Sequence, residues 1–301
     1  MLRRNTPNSD IAHHATRVGP MKMGAVSVGA SLFPGRIDGV QTNWTLARLE
    51  LDAPGVERVV RLRQVAEALG LKTIWSPSPV KFNGRICSRS ELKIRVSIDA
   101  TQDIAIMRGM EADGCLIAPT ESLIMSVGGC AVVVMEYQGR VVAAHAGLKC
   151  FYDHELAISG TKTPNREHES VVEAAGRALT TGGAALDPTQ LHVRVLFPLS
   201  RKVHTHSLKD TVHGANNERL HQHFIKKWGT GCGVRLEQDG HTLSFDTLAI
   251  VRAQCERYFK LDPLQVERVG PFADAIPYAH HTRLPGEAGK MRNLVVIKNL
   301  G

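Results

Sequence analysis

The chain has 301 residues and an ordinary globular composition, with 43% hydrophobic and 22% charged residues. The formal charge of +8 favours anionic ligands such as phosphates, but the basic residues are scattered in pairs and form no long run. Together with an aromatic content of only 5%, this scatter argues against nucleic acid as a partner.

The cysteines and the N-terminal residues indicate a reducing compartment. No two of the six cysteines form a CxxC pair, which argues against a zinc ribbon or a thioredoxin-like motif. The first residues lack the apolar stretch of a secretory signal, and no run approaches the roughly 20 apolar residues of a membrane span. We therefore expect a soluble, cytoplasmic protein that has no membrane partner and whose cysteines are mostly free thiols.

The first hundred residues predict a tail, a helix and two strands. Residues 1–20 are polar, contain proline and show no period, which is typical of disorder. A strand is predicted from Met21. Residues 52–71 are predicted to be a helix, because their apolar residues recur at three- and four-residue steps. Alternating apolar and polar residues predict a further strand at 91–100.

The rest of the chain predicts a mixture of strands and helices. Buried strands are predicted at 122–137, 140–147, 191–199 and 291–300, and helices at 167–183 and 245–261. The two kinds of element do not strictly alternate, and neither a repeat nor a low-complexity linker separates them. The sequence therefore predicts a single α/β domain with a mixed sheet over residues 21–301.

The stretch Ser126–Gly147, "SVGGCAVVVMEYQGRVVAAHAG", predicts a β-hairpin with a cysteine near one end and a histidine near the other. Gly139 can supply the positive φ of a two-residue turn. With that turn, Cys130 lies opposite Gly147 and shares a sheet face with His145, roughly 7–8 Å away as a diagonal neighbour. A four-residue loop keeps this register, whereas a three-residue loop would place the two side chains on opposite faces.

A cysteine and a histidine on one face can be a nucleophile and its base, two metal ligands, or two residues of the core. An imidazole can hold a neighbouring thiol as the thiolate, which is both nucleophile and ligand. Gly128 and Gly129 leave backbone N–H groups beside Cys130 within reach of a substrate oxygen, as an oxyanion site requires. The residues alone leave the three interpretations open.

The residues around this hairpin resemble the core of the laccase-domain (YfiH-like) family. "EADGCLIAPTESLIMSVGGCAVVVMEYQGRVVAAHAG" is similar to the family's Ala-Asp-Cys motif, which enters one strand, and to its His-Ala-Gly-Trp-Arg-Gly motif, which leaves the next. The segments 52–71, 171–198, 246–270 and 278–300 resemble family segments in the family's order. The resemblance extends over roughly residues 21–300.

This resemblance implies a mixed α/β fold with layered sheets, which Cys/His deamidases such as CheD and the cytotoxic necrotizing factors share. It also implies a zinc-dependent enzyme that acts on purine nucleosides by phosphorolysis or deamination, with nucleoside and phosphate as its partners. The family holds zinc through the histidine of a Gln-Val-His-Gly motif, the cysteine, and the histidine of the His-Ala-Gly motif. The last two correspond to Cys130 and His145.

The chain departs from the family at the third zinc ligand. No histidine occurs between His14 and His145, so the Gln-Val-His-Gly ligand is missing. Because a zinc site needs at least three protein ligands, zinc at Cys130 and His145 requires another one. Cys115 and Cys150 are both candidates.

Two further departures concern the residues around the pair. The aspartate before the family's cysteine is Gly129 here, and Trp-Arg-Gly is Leu148–Cys150, which leaves Lys149 as the cation for phosphate. "VGGC" is also similar to the Leu-Ser-Gly-Cys turn of the Cys/His deamidases.

Three functions are therefore compatible with the sequence. The first is a purine nucleoside phosphorylase-like enzyme, with or without zinc. The second is a metal-free amidohydrolase, in which Cys130 attacks a protein amide side chain and His145 takes and returns the proton. The third is an inactive family member that serves as a binding protein.

Two groups outside the hairpin complete the candidate residues. His280, His281 and Arg283 fall where the family carries a Ser-His pair ahead of arginines, so the resemblance implies that they contact phosphate or ribose, with Arg292 nearby. The segment 204–223 contains two His-x-His pairs, which are either metal-competent or simply solvated. These pairs are His204 with His206 and His221 with His223.

Overall fold

The structure is a computed structural model of the chain. The residues that it describes are 16–17, 21–23, 26–28, 31–37, 40–50, 62–63, 65–67, 69–79, 82–88, 95–99, 104–108, 110–127, 129–180, 184–269 and 291–299. Thr16–Arg17, inside the tail predicted to be disordered, form a short strand. Most of the helix predicted at 52–71 lies outside the described residues, although 62–63 and 65–67 are helical.

The described strands are short, and most belong to two large sheets. They are β1 Thr16–Arg17, β2 Met21–Met23, β3 Val26–Val28, β4 Ser31–Ile37, β5 Val40–Glu50, β6 Thr73–Ser76, β7 Ile86–Cys87, β8 Arg95–Asp99, β9 Ile104–Arg108, β10 Gly114–Ile117, β11 Glu121–Val127, β12 Ala131–Tyr137, β13 Arg140–Ala146, β14 Leu191–Leu196, β15 Thr205–Ser207, β16 Val234–Leu236, β17 Thr242–Phe245, β18 Val266–Val269 and β19 Met291–Lys298.

Four α-helices are described with both of their ends. They are α1 His154–Ser159, α2 Val171–Leu179, α3 Gly214–Trp228 and α4 Thr247–Phe259. Short 3-10 turns cover Leu148–Cys150, Pro188–Gln190 and Pro263–Gln265. None of the helices in the described part of the chain is long and apolar enough to cross a membrane.

The two large sheets are both mixed, as the sequence predicts. One has eight strands in the order β1-β4-β5-β19-β11-β6-β9-β8, and the other has six in the order β18-β14-β12-β13-β10-β7. Parallel pairs, such as β6 with β11 and β7 with β10, lie among antiparallel ones. A three-stranded sheet (β15-β17-β16) and the pair β2-β3 are separate.

The large sheets pack face to face and are covered by helices, which gives a layered α/β fold. The apolar layer between them contains residues of both, such as Leu123 and Ile297 of the eight-stranded sheet and Val134 of the six-stranded sheet. The outer face of the six-stranded sheet packs on α2 and α4. On the outer face of the eight-stranded sheet, the helical residues 62–63 and 65–67 contribute Leu62 and Val65.

Capping residues explain where two predicted helices begin. Ser170 is extended, and its side chain accepts a hydrogen bond from the Val172 N–H, so α2 begins after it and is shorter than the predicted 167–183. Asp246 caps α4 in the same way, close to the predicted start. Helix α3 was not predicted, because the histidines, asparagines and lysines of this segment mask its apolar period.

The run predicted as strand at 122–137 is divided between the two large sheets. Strand β11 belongs to the eight-stranded sheet and β12 to the six-stranded sheet. The chain passes from one layer to the other at Gly129, whose φ of 111° is open to glycine but strained for other residues. This crossing sets Cys130 at the entrance of β12.

The hairpin β12–β13 has the predicted register. Tyr137 is paired with Arg140, Val132 with His145 and Ala131 with Ala146. The two turn residues, Gln138 and Gly139, have φ values of 51° and 76°, as a type I′ turn requires.

We expect Gly114→Ala to destabilise the protein by about 1–3 kcal/mol, the range for overpacked positions. A Cβ on Gly114 would lie 2.4 Å from the main-chain oxygen of Ala143. The backbone of the neighbouring strand would have to move to relieve this contact. Gly231→Ala is the matched control, because a Cβ there meets nothing within 4 Å. Urea unfolding of both variants measures the difference, and equal midpoints would contradict the packing described for β10 and β13.

Candidate active site

Cys130 and His145 face the same small space at the open end of the hairpin. A Cβ on Gly147 would lie 3.3 Å from Cys130 Sγ and 3.3 Å from His145 Nε2, and 2.8 Å from His145 Cε1. Glycine at this position is therefore what lets the thiol and the imidazole approach each other. The predicted shared face of Cys130 and His145 agrees with this geometry.

His145 is held in a buried and neutral state. Only 5% of its surface is exposed, and burial lowers its pKa to about 4. The Phe82 ring lies beside it, with 5.5 Å between ring centroids. Its main-chain N–H donates to the Asp113 main-chain oxygen at 2.7 Å, which ties the end of β13 to the start of β10.

Cys150 contacts Nδ1 of the His145 ring, the nitrogen that does not face Cys130. The 3-10 turn Leu148–Cys150 folds the chain back, with the Cys150 N–H donating to the Gly147 oxygen at 2.9 Å. Cys150 Sγ then lies 3.5 Å from His145 Nδ1 and 3.7 Å from Asp113 Oδ1. One imidazole thus contacts Cys150 through Nδ1, while its Cε1–Nε2 edge faces the space next to Cys130.

Asp113 is the buried carboxylate of this group. It is 1% exposed, and its Oδ2 accepts a hydrogen bond from the Gly84 N–H at 2.6 Å. Burial raises its pKa, while this hydrogen bond, the Cys150 thiol and the charge of Arg166 oppose the rise. Burial and the nearby Asp113 charge also raise the pKa of Cys150 well above that of an ordinary thiol.

The donor atoms of Asp113, His145 and Cys150 fit a zinc ion. All lie within 4.8 Å of one another. Zinc bonds of about 2.0–2.3 Å at tetrahedral angles place neighbouring ligand atoms roughly 3.4–3.6 Å apart. The two sulfur contacts, at 3.5 and 3.7 Å, are close to that separation. A carboxylate, a neutral imidazole and a thiol that can ionise are a donor set that zinc accepts.

Of the two candidate third ligands, the structure places Cys150 at the site and Cys115 elsewhere. Cys115 Sγ lies 2.8 Å from Cys87 Sγ across the parallel pair β7–β10. Cys130 is not among the three clustered residues, although it faces the same imidazole.

The other predicted site residues are only partly described. Lys149 lines a different cavity of about 560 Å³, together with Tyr152, His154, His206 and His213. Gly129 forms the sheet crossing. Arg292 is on β19, paired with Leu49. Gly128, His280, His281 and Arg283 lie outside the described residues.

The His-rich segment forms no metal group among the described residues, where Asp113, His145 and Cys150 are the one set of three found. His204 and His206 both pack on the Phe245 ring, with centroids 5.1 and 4.8 Å away. His221 and His223 are on α3. His223 Nε2 contacts Glu169 Oε1 at 2.9 Å.

Asp113 was not predicted to be a site residue. It precedes the apolar strand β10, which pairs with β13 so that Gly114 is opposite Ala144. An acidic residue at the entrance to an apolar strand, in "EADGCLI", is the sequence signal that could have identified it.

We expect Cys130 of metal-free protein to be alkylated slowly at neutral pH. Burial raises its pKa to about 11, so the thiolate fraction, and with it the alkylation rate, should be about a hundredfold lower than for an ordinary free thiol. Peptide mass spectrometry after iodoacetamide treatment at several pH values measures this, with denatured protein as the reference. Fast labelling that reaches a plateau below pH 8 would show a thiolate and contradict the expectation.

No family model and no curated protein matches the chain at the sequence level. Solved structures do match. A hypothetical protein YfiH of Bacillus licheniformis is 13% identical, with a TM-score of 0.57 over 89% of this chain and 96% of the other. YlmD of Geobacillus stearothermophilus is 14% identical, with a TM-score of 0.57 over 91% and 92%.

A Neisseria meningitidis protein described by the family model DUF152 gives the same result, with 13% identity and a TM-score of 0.55 over 90% of this chain and 99% of the other. All three matches run through nearly the whole of both chains. The chain therefore has the fold of the YfiH, YlmD and DUF152 proteins.

Proposed function

We propose that this protein is a divergent laccase-domain enzyme that acts on purine nucleosides, by phosphorolysis or deamination, with zinc held by Asp113, His145 and Cys150. The observation that carries the proposal is the buried group formed by these three side chains. Of the two ligands that the resemblance implies, this group contains His145, and Asp113 and Cys150 are proposed in place of Cys130 and the missing histidine. The substrate class rests on the sequence resemblance, with which the shared fold agrees.

Zinc at this group would supply Lewis acidity beside the hairpin. The chain favours its binding in two ways. His145 is kept neutral by burial, which leaves a lone pair available at Nδ1. The Gly84 N–H fixes one oxygen of Asp113, so that Oδ1 is left to face Cys150.

The remaining residues of the site have proposed roles in binding and proton transfer. Cys130, protonated at neutral pH, faces the Cε1–Nε2 edge of His145 and can hold or pass a proton there. Lys149 follows the hairpin and is the cation proposed to contact phosphate from the neighbouring cavity.

The metal-free amidohydrolase is the less favoured alternative. Such an enzyme needs Cys130 as a thiolate or His145 as a base of near-neutral pKa. Burial acts against both requirements, because it raises the pKa of the Cys130 thiol to about 11 and lowers the pKa of the His145 imidazole to about 4. A bound metal removes this difficulty, because it stabilises anionic ligands and needs a neutral histidine.

We expect purified protein to contain about one zinc ion per chain, and Cys150→Ala and Asp113→Asn to lose most of it. Cys255→Ala is the matched control, because Cys255 is also fully buried but lies on α4, in the core on the outer face of the six-stranded sheet. Elemental analysis together with circular dichroism separates loss of metal from loss of fold. Zinc retained by a folded Cys150→Ala protein would contradict the proposed ligand set.

Zinc affinity should rise with pH, by roughly tenfold per unit where one proton is released on binding. The sign follows from Cys150, whose raised pKa means that the thiol gives up its proton when the metal binds. Competition with a chromogenic chelator between pH 6 and pH 8 measures the slope. An affinity that is independent of pH would argue against a thiolate ligand.

The activity is tested with adenosine, inosine and guanosine, with and without phosphate, by chromatography of the products. We expect free base or deaminated nucleoside, and at least a hundredfold loss in His145→Ala, a typical effect of removing a group of this kind. His241→Ala, a partly buried histidine outside the site, is the control. Ammonia release from protein glutamines by zinc-free enzyme would instead support the amidohydrolase, and a folded protein without zinc or turnover would support the binding protein.

A further inference from the structure

A second cavity lies against the Asp113 side of the candidate active site. It is bounded by the end of β7, the loop 165–168 and helix α2, and has a volume of about 680 Å³, within the range of small-molecule sites. We call it the arginine cavity, after the four arginines that line it. They are Arg85, Arg140, Arg166 and Arg177.

The charge of the arginine cavity is strongly unbalanced. Among the described residues that line it, Glu167 is the one carboxylate. Arg166 is committed to the fold, since its guanidinium donates to the main-chain oxygens of Phe82, His168 and Glu169. The other three arginines come from separate parts of the chain, and together they outnumber the single acid.

Two of these arginines are placed to bind an anion. Arg140 Nη2 donates to the Ala178 oxygen at 3.1 Å, which fixes the guanidinium while leaving other N–H groups available. Arg177 is exposed near the end of α2, and its side chain has no hydrogen-bond or ion-pair partner within the described residues. Guanidinium groups bind phosphate oxygens in pairs, so the presence of both arginines in one cavity favours a phosphate over a carboxylate of lower charge.

The cavity also has an apolar wall. Leu116, Ile86, Ala174 and Ala178 contribute it from β10, β7 and α2. A free inorganic anion would gain nothing from this surface, whereas a ligand with a flat ring could bury the ring there. The size, the charge and the apolar wall together fit a phosphorylated molecule that carries a ring system.

We propose that the arginine cavity binds a phosphorylated, ring-bearing small molecule of the nucleotide class. Its phosphates contact Arg140 and Arg177, and its ring lies on the apolar wall. This site is distinct from the proposed zinc group. The two are neighbours, because Gly84 lines the cavity and donates to Asp113.

Calorimetric titration of the full-length protein with ADP tests the proposal, with adenosine and inorganic phosphate as separate arms. We expect ADP to bind more tightly than either part alone, and the affinity to fall as salt is raised, because the contacts are ionic. Arg177→Gln and Arg140→Gln should each weaken ADP binding roughly tenfold, the loss of one charge-assisted contact. Arg235→Gln, an exposed arginine on β16, is the matched control and should bind as the wild type does.

Each contrary outcome has a definite meaning. Phosphate that binds as tightly as ADP would overturn the nucleotide assignment, and ADP binding that is unchanged in both cavity variants would place the ligand elsewhere. Equal weakening in Arg235→Gln would indicate nonspecific attraction to a basic surface. Binding of ADP to His145→Ala should be unchanged, so loss of the nucleoside activity and loss of ADP binding can be told apart. Thermal unfolding of each variant verifies that it is folded.

Discussion

The register of the β12–β13 hairpin is the constraint on which the site depends. A two-residue turn with positive φ at Gln138 and Gly139 fixes which residues are paired along both strands. A shift of one residue would turn every side chain of one strand to the opposite face. Cys130 and His145 would then be separated by the sheet. The same shift would exchange the side chains of that strand that face the eight-stranded sheet with those that face α2 and α4, so core packing and site geometry both depend on this register.

Burial of three ionisable side chains is the main energetic cost of this arrangement. Asp113, His145 and Cys150 are each at most 5% exposed, and desolvation is the largest influence on the pKa of each. Such a group destabilises the folded state unless hydrogen bonds or a cation compensate for its lost hydration. The Gly84 N–H and the charge of Arg166 supply part of this compensation to Asp113. A divalent cation would supply more, which connects the stability of this region to its occupancy.

Much of the fold could be predicted from local patterns, but the site only in part. Periodicity and turn chemistry identified α4, β13, β14 and the hairpin, because these elements bury a regular apolar face. The pair Cys130 and His145 followed from the register. Asp113 did not, because it enters the site through β10, a strand joined to β13 by long-range pairing that no local spacing shows. Helix α3 could not be predicted because its polar residues mask the apolar period. The crossing at Gly129 could not be predicted because the apolar run continues from a strand of one sheet into a strand of the other.

The missing side chain of Gly147 leaves room for the side chains of Cys130 and His145 on one face of the hairpin. A single carbon placed there would already be 2.8 Å from the imidazole and 3.3 Å from the thiol sulfur. These contacts are shorter than the roughly 3.5–4.0 Å that non-bonded carbon atoms prefer. Any side chain at position 147 would therefore have to push the imidazole or the thiol aside. A change at this glycine would disturb the geometry of the pair without altering either of its two residues.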